Sequence, residues 1–277
     1  MVFRGVYGVL PMNVFSQLAG SGPEVVLAHG FAGSARNFRG LIRALSPDFR
    51  VLTYDARGHA RSPAPHDPQA YSMDLLVSDL LGLLDGEGMT SPVVLGGLSM
   101  GAATALQFAR MYPSRVRALV LISYPLGTGG STGLSGQALE FAQAIEDVGV
   151  EAAGEKFVWG PGSGTSREMG KQVRAGFLEH SAQGLAGILR GVISKWPAPM
   201  ELGSELEEIP VFVISGEMDP DSRRASELLV GQNHHIQTKV IPGAGHVVNL
   251  SQPVSFNSAF IDFLHRLPDA GEVLSGL

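Results

Sequence analysis

Short, uninterrupted runs of apolar residues recur along this chain, and stretches with helical spacing separate them. A run that is apolar at every position predicts a strand buried on both faces, as in a parallel sheet that helices cover on both sides. The predicted fold class is therefore α/β. Six runs carry this signal: Val25–Ala28, Val51–Tyr54, Val93–Leu95, Leu119–Ile122, Val211–Ile214 and Lys239–Ile241.

The rhythm of strands stops between Pro125 and Pro210, where apolar residues keep helical spacing instead. This pattern predicts a helical insertion. We expect a core domain formed by residues 1–125 and 205–277, and a helical cap, or lid, at 126–204. The mixed alternation through Gln17 predicts a hairpin or an edge strand at the start of the core.

Composition narrows the class of function. The 277 residues carry a net charge of −6 with scattered Lys and Arg, so we expect no nucleic-acid partner. No apolar run approaches the roughly 20 residues of a membrane span, and no secretory signal stands out, so a cytoplasmic protein without a membrane partner is expected. The chain has no cysteine, no metal-ligand spacing and no dinucleotide fingerprint, which favours chemistry without metal or cofactor. Whether the protein is a monomer or a homodimer stays open.

The pentapeptide Gly97-Leu98-Ser99-Met100-Gly101 follows one apolar run and opens an alanine-rich helical pattern. Small residues two places on either side of a serine allow a strained turn between strand and helix, which exposes the serine Oγ. The N–H of Met100, at the helix start, would then face a substrate oxyanion. The sequence therefore predicts that Ser99 is a nucleophile.

A serine nucleophile needs an imidazole base and a carboxylate that orients the base. Among the eight histidines, His246 alone follows the last predicted strand in a short glycine-containing loop. Asp219 follows the strand Val211–Ile214, with Glu217 and Asp221 as nearby rivals. Because sites in parallel α/β sheets gather at the carboxyl ends of strands, we predict that Ser99, Asp219 and His246 converge.

These motifs resemble those of the α/β-hydrolase fold superfamily, from His29-Gly30-Phe31 to Gly243-Ala244-Gly245-His246. The resemblance implies a mostly parallel central sheet flanked by helices, with a helical cap inserted between strands six and seven. It also implies that Phe31 supplies a second oxyanion N–H beside Met100, and that His29 orients this loop. Three segments resemble the 3-oxoadipate enol-lactone hydrolase-like esterase and lactonase branch: Tyr54-Asp55-Ala56-Arg57-Gly58-His59, Gly97–Gly101 and Gln183-Gly184-Leu185-Ala186-Gly187.

The resemblance has two departures, Ala60 and Ala102, where glycine is usual. Both are conservative in size, so we expect the triad to be unaffected, but they weaken any claim to a named substrate. Asp55, Arg57 and His59 are interpreted as a structural network of ion pairs and turns.

The helical insertion resembles a lid that, in this fold, forms a wall of the substrate pocket. The scarcity of basic residues near the motifs favours an apolar acyl substrate, although Arg36, Arg61 or Arg190 could hold a carboxylate. The predicted pocket residues are His29, Trp159, Phe177, Leu185, Leu189 and Val247, with Phe141 and Ile188 as further candidates.

The leading hypothesis is a serine hydrolase that cleaves a small carboxylic ester or lactone through an acyl-enzyme. Two alternatives stay open. The same scaffold could carry out C–C bond hydrolysis, perhydrolysis or cofactor-free lyase or oxygenase chemistry, or it could be a ligand-binding signalling protein with slow turnover.

Overall fold

A computed structural model describes residues 11–125, 134–160, 167–196, 206, 208–233 and 235–268. Its centre is a seven-stranded sheet in the order β1-β3-β2-β4-β5-β6-β7. Only β1 runs antiparallel to its neighbour. The strands are β1 (Ser16–Ala19), β2 (Glu24–Ala28), β3 (Arg50–Tyr54), β4 (Val93–Leu98), β5 (Val116–Ile122), β6 (Val211–Gly216) and β7 (Gln237–Ile241).

All six apolar runs lie in strands, which confirms the predicted α/β class. Their side chains alternate between two cores, one on each face of the sheet. In β2, for example, Val25 and Leu27 belong to one core, while Val26 and Ala28 belong to the other. The predicted edge strand is β1, which pairs with β3 rather than forming a hairpin with β2.

Helices cover both faces of the sheet. One face carries α1 (Arg39–Leu45), α8 (Val248–Ser251) and α9 (Pro253–Arg266), whose apolar side chains share a core with the sheet. The other face carries α2 (Met73–Gly86), α3 (Met100–Met111) and α7 (Pro220–Gln232). None of the helices within the described ranges combines the length and the apolar composition needed to cross a bilayer.

Three helices occupy the predicted insertion: α4 (Leu134–Gly154), α5 (Arg167–Phe177) and α6 (Ala182–Gly191). Helix α4 is kinked at Gly149 (φ 85°) and continues into a wider π-helical turn over Glu155–Trp159. The insertion was expected between strands six and seven. It lies between β5 and β6, because only one strand, β1, precedes β2 in the described residues. Both expected cap boundaries, 126 and 204, lie outside the described residues.

The segment Gln183–Gly187 explains how α6 packs on the core. A β-carbon on Gly184 would collide with the carbonyl group of Gly58, and one on Gly187 would collide with the ring of Tyr71. The side chain of Gln183 also donates a hydrogen bond to the carbonyl oxygen of Ala64. The glycines therefore allow α6 to lie directly on the loop that follows β3.

Candidate active site

Ser99 sits at the sharp turn between β4 and α3. Its backbone has φ 52° and ψ −110°, in the left-handed region that non-glycine residues seldom adopt. The Ser99 N–H donates to the carbonyl oxygen of Ile122 in β5 at 2.8 Å, which holds the strained turn against the sheet. A β-carbon on Gly97 would collide with the carbonyl group of Gly101, and one on Gly101 with that of Ala28. The small residues flanking the serine are thus required by the close approach of backbone.

Asp219 and His246 lie in the loops that follow β6 and β7. The Nδ1 atom of His246 is 2.6 Å from Oδ2 of Asp219. The two loops are joined by backbone as well, because the Met218 N–H donates to the carbonyl oxygen of Ala244 at 2.8 Å. The carboxylate is buried, whereas 49% of the imidazole side chain remains exposed, so the ring is held at one end and open at the other.

The environment of Asp219 favours its charged form. Burial raises the pKa of this carboxyl, but hydrogen bonds from His246 and Ser222 outweigh burial and bring its pKa below the ordinary value. The Oδ2 atom of an ionised Asp219 accepts a hydrogen bond from Nδ1 of His246, so the proton of the neutral imidazole lies on Nδ1. The Nε2 lone pair is then free to act as a base.

The loop after β2 lies beside the serine. A β-carbon on Gly30 would be only 3.4 Å from Cβ of Ser99, so this loop and the turn are in contact. The buried ring of His29 accepts a hydrogen bond at Nε2 from the Ala56 N–H (2.9 Å), and its Nδ1 lies 2.7 Å from the carbonyl oxygen of Gly30. Burial lowers the pKa of His29 to about 4, so the ring is neutral at pH 7.

A cavity of about 620 Å³ opens over Ser99 between the sheet and the insertion. We call this cavity the cleft. Its wall contains Ser99, Asp219 and His246 together with Phe31 and Met100, which places all five predicted residues around one space. The remaining lining residues are Gly30, Leu98, Pro125, Gln137, Ala138, Phe141, Phe157, Leu189, Ile193, Trp196, Asp221, Ser222 and Val247.

Two of the six predicted pocket residues, Leu189 and Val247, line the cleft, and four do not. Trp159 folds back over Gly154, where its ring occupies the place of a β-carbon. Phe177 is only 1% exposed and stacks on Phe141, which lines the cleft in its place. Leu185 is fully buried one turn before Leu189, and His29 lies beneath the loop that it holds.

Sequence reasoning did not place Phe157, Ile193, Trp196 and Gln137 in the wall of the cleft. Phe157 faces it because the π-helical turn changes the side-chain register, and periodicity of 3.6 residues does not show such a turn. The ring of Phe157 stacks on Phe141 at 4.6 Å, and Phe141 meets Phe31 edge-on at 6.0 Å. The cap side of the cleft is therefore aromatic.

The three arginines considered as carboxylate ligands are absent from the lining, and each pairs with a carboxylate of this chain. Arg36 pairs with Glu179 at 2.5 Å. Arg61 pairs with Asp55 at 2.7 Å, and Arg190 pairs with Glu146 at 2.6 Å. The structure described therefore gives none of the three a place in the wall of the cleft.

The network interpretation of the loop after β3 fits the contacts found there. Arg57 forms a two-pronged ion pair with Asp79 of α2, with both N···O distances at 2.6 Å. Asp55 pairs with Arg61 and also accepts the N–H of Ala35 at 2.8 Å. None of these side chains lines the cleft. Across the described ranges, no cluster of three or more His, Asp or Glu side chains could hold a metal ion.

Comparison with known proteins places the chain in a family. The sequence profile described as "Alpha/beta hydrolase family" matches residues 25–259, which span β2 to α9. The chain belongs to the alpha/beta hydrolase family.

Three curated relatives are 30% to 31% identical to this chain. A putative 2-succinyl-6-hydroxy-2,4-cyclohexadiene-1-carboxylate synthase of Bacillus subtilis is 31% identical over 89% of this chain and 93% of that protein. An sn-1-specific diacylglycerol lipase of Mus musculus is 31% identical over 87% of this chain and 81% of its own. Epoxide hydrolase B of Mycobacterium tuberculosis is 30% identical over 87% of this chain, which spans 64% of that protein.

Solved structures give the same architecture. A thermophilic esterase of Thermogutta terrifontis superposes with a TM-score of 0.81 at 27% identity, covering 92% of this chain and 93% of the esterase. An enol-lactonase of Burkholderia xenovorans LB400 superposes with a TM-score of 0.79 at 24% identity, covering 92% and 98%, and supports the fold alone. The family and its relatives identify the chain as a hydrolase scaffold without fixing the bond that it cleaves.

Proposed function

We propose that this protein hydrolyses carboxylic esters or lactones through an acyl-enzyme on Ser99. The observation that carries the proposal is the 2.6 Å contact between His246 and Asp219 at the rim of the cleft that also contains the strained Ser99 turn. A base oriented by a carboxylate and an exposed serine are the parts that acyl transfer needs. Relatives whose names include esterase and lipase are consistent with this reaction.

In the proposed reaction, Oγ of Ser99 attacks the substrate carbonyl carbon while Nε2 of His246 takes the hydroxyl proton. Asp219 stabilises the imidazolium that forms. The negative charge that develops on the carbonyl oxygen is stabilised by the N–H groups of Met100 and Phe31. Met100 is the first residue of α3, so its N–H has no acceptor within the helix. Removing one such donor costs about 3 kcal/mol of barrier in comparable sites.

The tetrahedral intermediate then breaks its bond to the alkoxy oxygen, which takes the proton from His246. A water molecule, activated by the same imidazole, attacks the acyl carbon, and the acid is released with Ser99 regenerated. For a lactone, the released alkoxy oxygen stays attached to the acyl group, and a hydroxy acid leaves in the second step.

A serine nucleophile is not compatible with every reaction named for the other relatives. Opening an epoxide with a serine oxygen would form an ether, which has no carbonyl carbon for water to attack, so a serine could not turn over. The name of the Bacillus synthase contains succinyl and carboxylate groups. The described lining of the cleft here includes no Lys or Arg to receive them, so we do not extend that reaction to this chain.

The experiment compares wild type with Ser99→Ala on 4-nitrophenyl butyrate, followed by release of 4-nitrophenol. We expect the rate to fall by at least about 10³-fold toward the uncatalysed value, with an unchanged circular dichroism spectrum. Ser114→Ala, which removes the hydroxyl of an exposed serine distant from the cleft lining, is the matched control and should keep full activity.

A fluorophosphonate probe should label Ser99 and no residue of the Ser99→Ala protein, as read by mass spectrometry of the peptides. Undiminished hydrolysis by Ser99→Ala would refute the proposed nucleophile. Fast labelling of wild type without turnover of any ester would instead favour a ligand-binding signalling protein.

A further inference from the structure

We propose that the cleft selects uncharged esters and rejects those whose acyl chain ends in a carboxylate, with Asp221 as a specificity-determining residue. This inference rests on the proposed ester hydrolysis and names its substrate class.

Only three ionisable side chains occur among the described residues of the lining: Asp219, His246 and Asp221. Asp219 and His246 are bound to each other. Asp221 lies in the first turn of α7 and is exposed, and among the described residues it has no ion-pair partner. Within the described lining, Asp221 is therefore the carboxylate that no imidazole binds, and it lies at the space that a substrate would occupy.

The described lining contains no Lys or Arg to offset this charge, and Lys156, which lies over the ring of Phe157 at 4.7 Å, pairs with Glu140. Arg36, Arg61 and Arg190 are each engaged by a carboxylate of the chain and are absent from the lining. A substrate carboxylate would lose its hydration in the cleft and gain no partner there.

Apart from Ser99, Gln137 and Ser222, the remaining side chains of the wall are apolar and in part aromatic. Phe141 and Phe157 stack at 4.6 Å and present a flat apolar surface, with Phe31 edge-on to Phe141 and with Trp196 and Ile193 in the same lining. A volume of about 620 Å³ accommodates a small organic molecule. An uncharged alkyl or aromatic acyl group fits this wall, because it loses little hydration and contacts the rings.

The test uses two acyl chains of matched length that differ in one terminal charge, 4-nitrophenyl hexanoate and mono-4-nitrophenyl adipate. We expect kcat/KM of wild type to be at least about 100-fold lower for the adipate monoester, after subtraction of spontaneous hydrolysis. Asp221→Asn should narrow this ratio by about 5- to 10-fold, because it removes the repulsion and leaves the hydration penalty.

Asp262→Asn is the control for the change in net charge, since it removes an exposed carboxylate on α9 away from the cleft lining and should leave the ratio unchanged. Gln137→Arg introduces a cation at the lining and should raise kcat/KM for the adipate monoester by about 10-fold relative to the hexanoate. The ratio of two substrates on one protein is insensitive to the fraction of that protein that is folded.

Equal kcat/KM values for the two esters, or a ratio that neither Asp221→Asn nor Gln137→Arg changes, would overturn the inference and leave ester hydrolysis standing. Binding to Ser99→Ala, followed by tryptophan fluorescence, separates the two proposals from the other side. If Ser99→Ala binds the hexanoate and not the adipate monoester while wild type cleaves neither, the charge selection holds and the proposed function fails.

Discussion

The two walls of the cleft are built by different means. The core wall consists of Ser99, Asp219 and His246, which lie in loops that directly follow β4, β6 and β7. The cap wall consists of Phe141, Phe157, Leu189, Ile193 and Trp196, which come from the helical insertion between β5 and β6.

Backbone hydrogen bonds fix the core wall. The Ser99 turn is bonded to β5, and the Asp219 and His246 loops are bonded to each other through Met218 and Ala244. The cap wall is held mainly by side-chain packing, such as the stacked rings of Phe141 and Phe157. Under the proposed function, the difference teaches that orientation of the reacting groups and the shape of the cleft are separable, because the core wall provides the first and the cap wall provides much of the second.

Among the tests of this separation, Asp219→Asn on the core wall should have the largest effect on activity. An amide at this position favours the wrong tautomer of His246, so kcat should fall by about 10⁴-fold while KM changes little. Steady-state kinetics on 4-nitrophenyl hexanoate gives both constants.

Glu217→Gln is the matched control, because Glu217 lies two residues earlier and accepts the Gly243 N–H at 2.9 Å without touching the imidazole. We expect its kcat to stay within about threefold of wild type. The reverse result, a larger loss in Glu217→Gln than in Asp219→Asn, would reassign the carboxylate of the triad.

The core wall was also the part that sequence could predict. Gly97–Gly101 and the positions of Asp219 and His246 after strands have local signatures, because a strained turn needs small neighbours and strand ends share one edge. The cap wall has no such signature. Trp159 and Phe157 are both aromatic and two residues apart, and only the π-helical turn decides that Phe157 lines the cleft.

The arginines show the same limit. Arg36, Arg61 and Arg190 were equally plausible carboxylate ligands in the sequence. Arg61 pairs with Asp55 of its own loop, Arg190 pairs with Glu146 across two helices of the insertion, and Arg36 of the core pairs with Glu179 of the insertion. Which charge neutralises which depends on loop geometry and on helix packing. A single sequence does not specify these pairings, whereas the alternation of apolar runs specified the sheet.

The next effect concerns the support beneath the core wall. Arg57 and Asp79 are 3% and 1% exposed, and Asp79 also accepts the Met12 N–H at 2.7 Å. Arg57→Met would leave a buried carboxylate without its countercharge, so the free energy of unfolding should fall by about 3–5 kcal/mol. Urea denaturation measures the loss. The double variant Arg57→Met/Asp79→Leu should recover much of it, and a double variant less stable than Arg57→Met would contradict this account.

Acid should weaken the same region through His29. Burial lowers its pKa to about 4, from 6.5 in the unfolded chain, so between these values the unfolded chain binds the extra proton. Stability is therefore full above about pH 6.5 and declines as pH falls toward 4, by about 3 kcal/mol for this residue. His29→Asn should show a shallower decline in urea denaturation across this range, whereas exposed His66→Gln should follow wild type. Identical pH dependence in all three proteins would argue against a buried neutral His29.

The smallest effect is expected on the cap wall, where Phe157→Ala removes a half-buried ring that lines the cleft. Phe141 then loses the ring that stacks on it at 4.6 Å. We expect KM for 4-nitrophenyl hexanoate to rise by about 5- to 10-fold, consistent with about 1 kcal/mol for an aromatic pair. The value of kcat should stay within about threefold, because Ser99, Asp219 and His246 keep their backbone bonds. Val148→Ala, on the exposed side of α4, controls for shortening an apolar side chain in the cap. If Phe157→Ala instead lowered kcat as strongly as KM rose, the cap would take part in orienting the reacting groups, and the separation between the two walls would fail.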